Sequence, residues 1–279
     1  MIQFILNNQT IKTSFAPGST VLDFVRYHKR LMGTKIGCRE GDCGACTVLA
    51  GSIENLPALP TGQAGGRQGE KLVYRSMTCC LMPLANAQGK HIVTVEGING
   101  KELSAVQQAL VDTNGTQCGF CTPGFVMSLT GFILNKQESN YDDAIRSVDG
   151  NICRCTGYKS IERAAKILTD GLIDKPKTNT IEWLVKNDFI PAYFIDIKER
   201  LLQLKTEIDN HSPKTNGSLI IGGGTDLIVQ KHSQVKKAAI KNFFDNRELK
   251  QIALKNNKCS IGGSVTATEF SESPIIQDI

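Results

Sequence analysis

The 279-residue sequence has no run of about 18 apolar residues, the length that a transmembrane helix needs. Its first residues, MIQFILNNQTIKTSF, lack the basic, apolar and small-residue order of a secretory signal, so we expect a cytoplasmic protein with no membrane partner. The formal net charge is only +5 and the lysines are scattered, which predicts no nucleic-acid partner. No paired nucleophile and base is evident either, so we predict no acid–base catalytic residues.

Cysteine, in contrast, is abundant and unevenly placed. Nine of the ten cysteines lie between residues 38 and 155, and only Cys259 stands apart. A reducing compartment disfavours disulfides, so clustered cysteines indicate metal or redox chemistry. We predict Cys259 to be a residue in the core of a strand.

The distribution of apolar and turn residues predicts a multidomain α+β chain. Strand-like segments with one helix over 19–33 come first, and the Pro/Gly-rich segment 56–69 is predicted to be a loop or insertion. Helical periodicity follows, with the capping-box spacing Ser104 to Gln107, and the last third has α/β character. The predicted boundaries are 1–95, 96–173, a linker at 174–180, and 181–279.

The first cysteine motif is GCREGDCGACTV, in which Cys38, Cys43 and Cys46 have the spacing C-x4-C-x2-C of plant-type ferredoxins. Its glycines allow a tight loop whose backbone amides point at the sulfurs. A fourth, distant ligand is required, and Cys79 and Cys80 are the candidates. Only one of them can face the cluster, because adjacent strand residues point to opposite faces. The alternative, a zinc knuckle, usually has two C-x2-4-C pairs.

The second motif pairs TQCGFCTPG with GNICRCTGY and supplies Cys118, Cys121, Cys153 and Cys155. These are four possible ligands in a helical region, close to predicted helix N-termini that stabilise negative charge. The spacing is compatible with zinc or with an iron–sulfur cluster. We interpret Arg154, between the last two cysteines, as a surface residue.

A third motif, IIGGGTDLIV, places three glycines after a predicted buried strand. It is not the dinucleotide fingerprint G-x-G-x-x-G, since Leu227 stands at the last glycine position. The backbone amides of such a turn form an anion-binding nest, although a purely structural turn has the same composition. A strand leading to a Gly-Gly pair is repeated in KCSIGGSVTATEF.

The two cysteine motifs together resemble the iron–sulfur region of the molybdenum hydroxylases, over residues 1 to about 170. The resemblance implies a β-grasp ferredoxin-like domain and an all-α domain, each with one 2Fe-2S cluster. It makes Cys80, in CLMP, the fourth ligand of the first cluster and leaves Cys79 as a spare, packed thiol. It implies that Gln117 touches a molybdopterin cofactor held by a large partner subunit.

The glycine-rich motif resembles the FAD-binding domain that follows these clusters in xanthine dehydrogenase-type subunits. The family's flavin domain runs well past residue 279, so we expect a partial α/β FAD-binding domain with an incomplete site. The rest of that domain would be a partner if the polypeptide is split. The resemblance implies FAD contacts from Ile220, Ile221, Gly222, Gly223, Gly224, Thr225, Asp226 and Leu227.

The resemblance implies an electron-transfer subunit of a xanthine dehydrogenase-like enzyme. Purine would be hydroxylated in the partner, and electrons would pass through two clusters to FAD and then to NAD+. An aldehyde or aromatic-heterocycle hydroxylase is the alternative within the family. A non-catalytic metal-binding or sensing module is the alternative from another class.

Overall fold

The structure is a computed structural model that describes residues 1–55, 70–135, 140–211, 219–244, 246–256 and 258–277. The predicted loop at 56–69 lies outside these described residues. Among the helices that are described, none combines the length and the apolar character that a membrane crossing requires.

The first third of the chain forms a five-stranded sheet in the order β2-β1-β5-β3-β4. β1 and β5 run parallel, and the other neighbours are antiparallel. Asn7, at positive φ, lies in the turn between the first two strands, as the sequence NNQ predicts. The strand bounds are β1 Ile2–Leu6, β2 Gln9–Thr13, β3 Thr47–Asn55, β4 Glu70–Thr78 and β5 His91–Val93.

The helix predicted over 19–33 is shorter than expected. Helix α1 spans Val21–Asp23 and continues as a π-helical turn over Phe24–His28, with the Thr20 hydroxyl accepting the predicted cap bond from Asp23 N. The helix cannot reach Gly33, because Arg30 has a positive φ and Arg26 donates to the carbonyls of Met32 and Thr34.

Four helices follow: α2 Ala105–Asp112, α3 Thr122–Asn135, α4 Tyr141–Arg146 and α5 Lys159–Gly171. The predicted capping box of α2 is confirmed, since Ser104 and Gln107 exchange both side chain-to-backbone bonds. α3 is buried along most of its length, and Phe125 and Leu129 share a core with Leu49 and Tyr74 of the sheet. The helical region is therefore packed on the sheet.

The rest of the chain is mixed α and β, with two short two-stranded sheets. Its Ile221, Ile228 and Val235 are buried in the same apolar cluster as Phe4 and Phe24 of the first region. The bounds are α6 Thr180–Lys186, α7 Ile197–His211, β6 Leu219–Ile221, α8 Thr225–Lys237, β7 Ile240–Asn242, β8 Ile252–Lys255, β9 Lys258–Ile261, α9 Ala267–Ser271 and α10 Pro274–Gln277. Short 3-10 helices span Leu84–Ala87, Val95–Ile98, Ala192–Asp196 and Arg247–Leu249.

Two details differ from expectation or refine it. Cys259 lies in β9, but the predicted core position is wrong, because its side chain is exposed on a two-stranded ribbon. Within the predicted linker, Lys175 is buried and its ammonium donates to Ile133 O at 2.5 Å. This segment is packed against the end of α3.

Candidate metal centres and cofactor cleft

The first thiol loop runs from Cys38 to Cys46 and ends where β3 begins. The amide of Cys38 donates to Cys43 Sγ at 3.4 Å, and the amide of Glu40 donates to Cys38 Sγ at 3.3 Å. A Cβ on Gly37 would lie 2.5 Å from Cys43 Sγ. The expectation that this loop needs glycine for close approach, with amides directed at sulfur, is confirmed.

Cys79 and Cys80 both contact the sulfur of Cys46. β4 ends at Thr78, so the two cysteines lie in a turn and the argument from strand alternation does not apply to them. Of the two, Cys80 is also within electrostatic reach of Cys38 and accepts from the amide of Gly41. This arrangement favours Cys80 as the fourth member of the set.

Cys79 is 0% exposed and is directed into the protein instead. Its thiol donates to the carbonyl of Cys46 at 2.9 Å, and complete burial raises the pKa of the Cys79 thiol. The expectation that Cys79 is packed in the protein interior is confirmed.

Hydrogen bonds favour the thiolate form of two members of this set. Side-chain bonds from Cys79 and Cys80 lower the pKa of Cys46 to about 3. Burial opposes ionisation of Cys38, but bonds from the amides of Glu40, Cys43 and Asp42 outweigh it, so the pKa of Cys38 is lowered. Thiolates are the form in which cysteine binds metals.

The second set gathers all four cysteines predicted for it. Cys118 and Cys155 are exposed, and their sulfurs are 3.6 Å apart. Cys121 and Cys153 lie deeper and bond to each other through their side chains. Cys121 directly precedes the N-terminus of α3, as predicted, where the helix dipole favours negative charge.

The pKa values of the two deeper thiols of the second set are shifted in opposite directions. Burial, followed by the bond to Cys153, raises the pKa of Cys121 to about 12, whereas a bond to the Thr156 hydroxyl at 3.2 Å helps to lower the pKa of Cys153. In the part of the chain that the structure describes, no three Cys, His, Asp or Glu side chains are arranged to hold a single metal ion.

The first thiol loop is in direct contact with the segment that precedes Cys153. The amide of Ile152 donates to the carbonyl of Cys43 at 3.0 Å. The buried side chain of Asn151 donates to the carbonyl of Gly44 at 3.1 Å and accepts from Ser128 at 2.7 Å. Nothing in the spacing of the cysteines indicates these bonds, which join segments 107 residues apart.

The surface around the second set is partly apolar. Phe120, Ile152 and Tyr158 are exposed large side chains close in sequence to the four cysteines. Gln117 is exposed immediately before Cys118, and Arg154 is exposed as predicted. An exposed apolar surface of this kind is typical of a protein–protein interface.

A cleft of about 760 Å³ lies between the first sheet and the last third of the chain. Six of the eight residues predicted for FAD line it, from Gly222 to Leu227. Ile220 and Ile221 do not line it: Ile221 is buried, and Ile220 is 63% exposed. Gly263, from the second glycine pair, lines the same cleft. The sequence showed the repeated strand and glycine pattern, but no role was predicted for the second copy.

The cleft has the features of an anion site. Gly224 has a φ of +81° and caps the N-terminus of α8, which begins at Thr225. Lys250 lines the cleft beside Glu269, with a nitrogen-to-oxygen distance of 2.9 Å. Lys90, only 5% exposed, comes from the first region and lies 5.5 Å from the ring centroid of Phe244. Backbone amides at a helix N-terminus suit a phosphate group.

Comparison with protein-family models gives two matches. Residues 4–84 match the 2Fe-2S iron–sulfur cluster binding domain, and residues 94–166 match the [2Fe-2S] binding domain. The chain therefore carries two 2Fe-2S-binding domains.

The chain is also similar to curated proteins and to a solved structure. The xanthine dehydrogenase of Emericella nidulans is 32% identical over 96% of this chain, and that of Blastobotrys adeninivorans is 43% identical over 56%. An aldehyde oxidoreductase structure from Desulfovibrio gigas is 28% identical over 64% of this chain, with a TM-score of 0.50. The chain spans only 23%, 10% and 18% of these three proteins, respectively.

Proposed function

We propose that this chain, which carries the xanthine dehydrogenase-like iron–sulfur region of a molybdenum hydroxylase, transfers electrons between a molybdenum-containing partner and a flavin. When bound, the two 2Fe-2S clusters would supply one-electron carriers between the two. The observation that carries this proposal is the direct contact between the thiol loops, through Ile152 and Cys43. Two carriers held by touching loops are suited to electron exchange.

The proposed ligands follow the two thiol sets. The fit is supported by backbone amides that point at sulfur in the first loop and by the helix N-terminus next to Cys121. The first set belongs to the domain expected to have a β-grasp fold, and the strand order 2-1-5-3-4 agrees with that expectation. The ligands are Cys38, Cys43, Cys46 and Cys80 for one cluster, and Cys118, Cys121, Cys153 and Cys155 for the other.

The exposure of the two sets suggests the direction of transfer. Cys118 and Cys155 are exposed beside Phe120 and Tyr158, so a partner chain can cover the second set. Leu81 follows Cys80 and lines the cleft that contains Gly222–Gly224. The first set therefore lies close to this cleft. We therefore assign the second set to the molybdopterin side, where Gln117 would touch the pterin, and the first set to the flavin side.

The cleft fits the diphosphate of FAD. The turn at Gly222–Gly224 leaves room for backbone approach, and α8 begins at the cleft with its N-terminus. Gly222 to Leu227 would contact the dinucleotide from one wall.

The partner is proposed to be a large molybdopterin-binding chain or domain that hydroxylates a purine. Support comes from the xanthine dehydrogenase of Emericella nidulans, which aligns with 96% of this chain, the flavin segment included. An aldehyde substrate is the second candidate, because the relatives also include an aldehyde oxidoreductase of Desulfovibrio gigas.

The first test is the metal content of the purified chain. We expect about four iron atoms and four acid-labile sulfides per chain, visible absorption, and two distinct electron paramagnetic resonance signals after reduction. A colourless protein that contains zinc contradicts the proposal and favours a metal-binding module.

The second test is the partner. The chain should co-purify with a pterin-containing protein, and the complex should reduce NAD+ when xanthine is added. Aldehyde-dependent reduction without xanthine activity would shift the substrate to the second candidate. Absence of any pterin-containing partner contradicts the hydroxylase assignment.

A further inference from the structure

The glycine-rich turn is held from behind by a side chain of the first domain. Asn86 lies in the 3-10 helix Leu84–Ala87 and is 2% exposed. Its side-chain nitrogen donates to Gly223 O at 2.9 Å and to Gly222 O at 3.2 Å. Both acceptors are carbonyl oxygens, so only the nitrogen of the amide can face them, and its orientation is unambiguous.

These two bonds determine where the turn's own amides point. In a trans peptide the C=O and the N–H point in opposite directions, and no cis peptide bond occurs among the described residues. Fixing the carbonyls of Gly222 and Gly223 therefore directs the amides of Gly223 and Gly224 away from Asn86. In the described part of the chain these two amides donate to no other group.

The amides thus point towards the cleft. Gly222, Gly223 and Gly224 line it, whereas Asn86 is not among its lining residues. Pro83, from the same segment as Asn86, supports the turn as well, because a Cβ on Gly224 would lie 2.8 Å from its Cγ. Two free amides beside the N-terminus of α8 form a preformed site for anionic oxygens.

We propose that Asn86 is a positioning residue that holds the glycine-rich turn so that the amides of Gly223 and Gly224 receive the diphosphate of FAD. The inference rests on the proposed flavin function and adds to it that the iron–sulfur domain builds part of the flavin site. The carbonyl oxygen of Asn86 is buried without a partner. A buried acceptor without a partner lowers the free energy of unfolding, which is consistent with a side chain retained for its two donor bonds.

Two variants remove the donors. Asn86→Leu keeps most of the volume, and Asn86→Ala leaves a smaller side chain in case the first does not fold. Asn242→Ala is the matched control, since it removes another side-chain bond between the same regions, from Asn242 Nδ2 to Ala85 O at 3.0 Å, together with the local bond from Phe244 N to Asn242 Oδ1 at 2.8 Å. None of the bonds of Asn242 involves the glycine turn.

Two measurements on the full chain separate the positioning role from flavin binding. Hydrogen exchange of the Ile228 amide, which donates to Gly224 O at 3.0 Å, reports whether the turn is in place. Fluorescence titration gives the Kd for FAD. We expect both Asn86 variants to exchange Ile228 faster and to raise the Kd at least about tenfold, with the control within about threefold.

Unchanged exchange of Ile228 in both Asn86 variants overturns the positioning role, whatever the FAD affinity. Faster exchange with an unchanged Kd overturns the assignment of the diphosphate to this turn. If the wild type binds no FAD, the flavin function fails, and the exchange measurement by itself then decides the positioning role.

Discussion

The amide of Ile152 donates to the carbonyl of Cys43 at 3.0 Å, which places the residue before Cys153 in direct backbone contact with the first thiol loop. Since Cys153 follows Ile152 in the chain, this hydrogen bond brings a ligand of the second set close to Cys43 of the first set. Asn151 repeats the contact one residue earlier, through Gly44 O. Because these bonds are backbone or buried, the distance between the sets is a property of the fold and not of flexible side chains.

The close contact between the loops depends on small residues. Gly124→Ala would place a Cβ 2.3 Å from Gly44 O, so we expect a loss of about 1–3 kcal/mol in the free energy of unfolding. Urea denaturation checks this. Gly171→Ala is the control, since its Cβ would only touch Phe189 at 3.6 Å, and it should leave stability unchanged or slightly higher. Equal stability of the two variants would contradict the close-contact interpretation.

Cys155→Ser should abolish the signal of the second cluster and leave that of the first. Cys155 is exposed and 3.6 Å from Cys118, so its loss removes a ligand without disturbing the core. Iron content should fall by about half, with one remaining electron paramagnetic resonance signal. Cys259→Ser, at an exposed site outside both sets, should keep both signals. Retention of both by Cys155→Ser would remove Cys155 from the ligand set.

The adjacent cysteines should behave differently. Cys80→Ser is expected to abolish the signal of the first cluster, because Cys80 is the thiol close to both Cys46 and Cys38. Cys79→Ala is expected to keep that signal and to lose about 1 kcal/mol of stability, from the 2.9 Å bond to Cys46 O. Spectra and urea denaturation of the two variants check this. The reverse result would make Cys79 the ligand.

Acid should destabilise the fold through His91. His91 is fully buried, accepts from the Tyr74 hydroxyl at Nδ1 (2.7 Å) and donates from Nε2 to Asn7 O (2.9 Å). Burial lowers its pKa from 6.5 to about 3, so the unfolded chain binds the proton more readily. The stability linked to neutral His91 is present above about pH 6.5 and is lost as the pH falls towards about 3.

Urea denaturation at several values between pH 7.5 and pH 4 measures this effect. His91→Gln removes the titrating group, so it should lower stability at neutral pH and flatten the dependence on pH. A wild type whose pH dependence matches that of His91→Gln would contradict the assignment.

Two glycines of the cleft should separate folding from ligand binding. Gly224→Ala requires a positive φ and brings a Cβ within 2.8 Å of Ile221 and Pro83, so it should destabilise the fold by about 1–2 kcal/mol. Gly263→Ala meets nothing within 4 Å and should leave stability unchanged. Gly263 lines the cleft, however, so its added methyl group should weaken FAD binding. Thermal unfolding and FAD titration distinguish the two; unaltered FAD affinity in Gly263→Ala would move the ligand away from that wall.

The local features of the chain could be predicted from the sequence. The C-x4-C-x2-C spacing, the loop glycines and the Ser104–Gln107 capping box act over a few residues, and the structure has them where they were expected. Periodicity also indicated helices and strands, but it placed the end of α1 too late, where Arg30 at positive φ stops the helix, and it extended β4 past Thr78 into the turn of Cys79 and Cys80.

The contacts between distant groups could not be predicted in this way. The bond from Ile152 to Cys43, the burial of Cys79 beside Cys46, and the hold of Asn86 on Gly222 and Gly223 join segments far apart in the chain. Such contacts depend on how the sheet, helices and cleft pack together. Hydrophobic patterning shows that elements pack, but it does not specify which polar groups then lie within bonding distance.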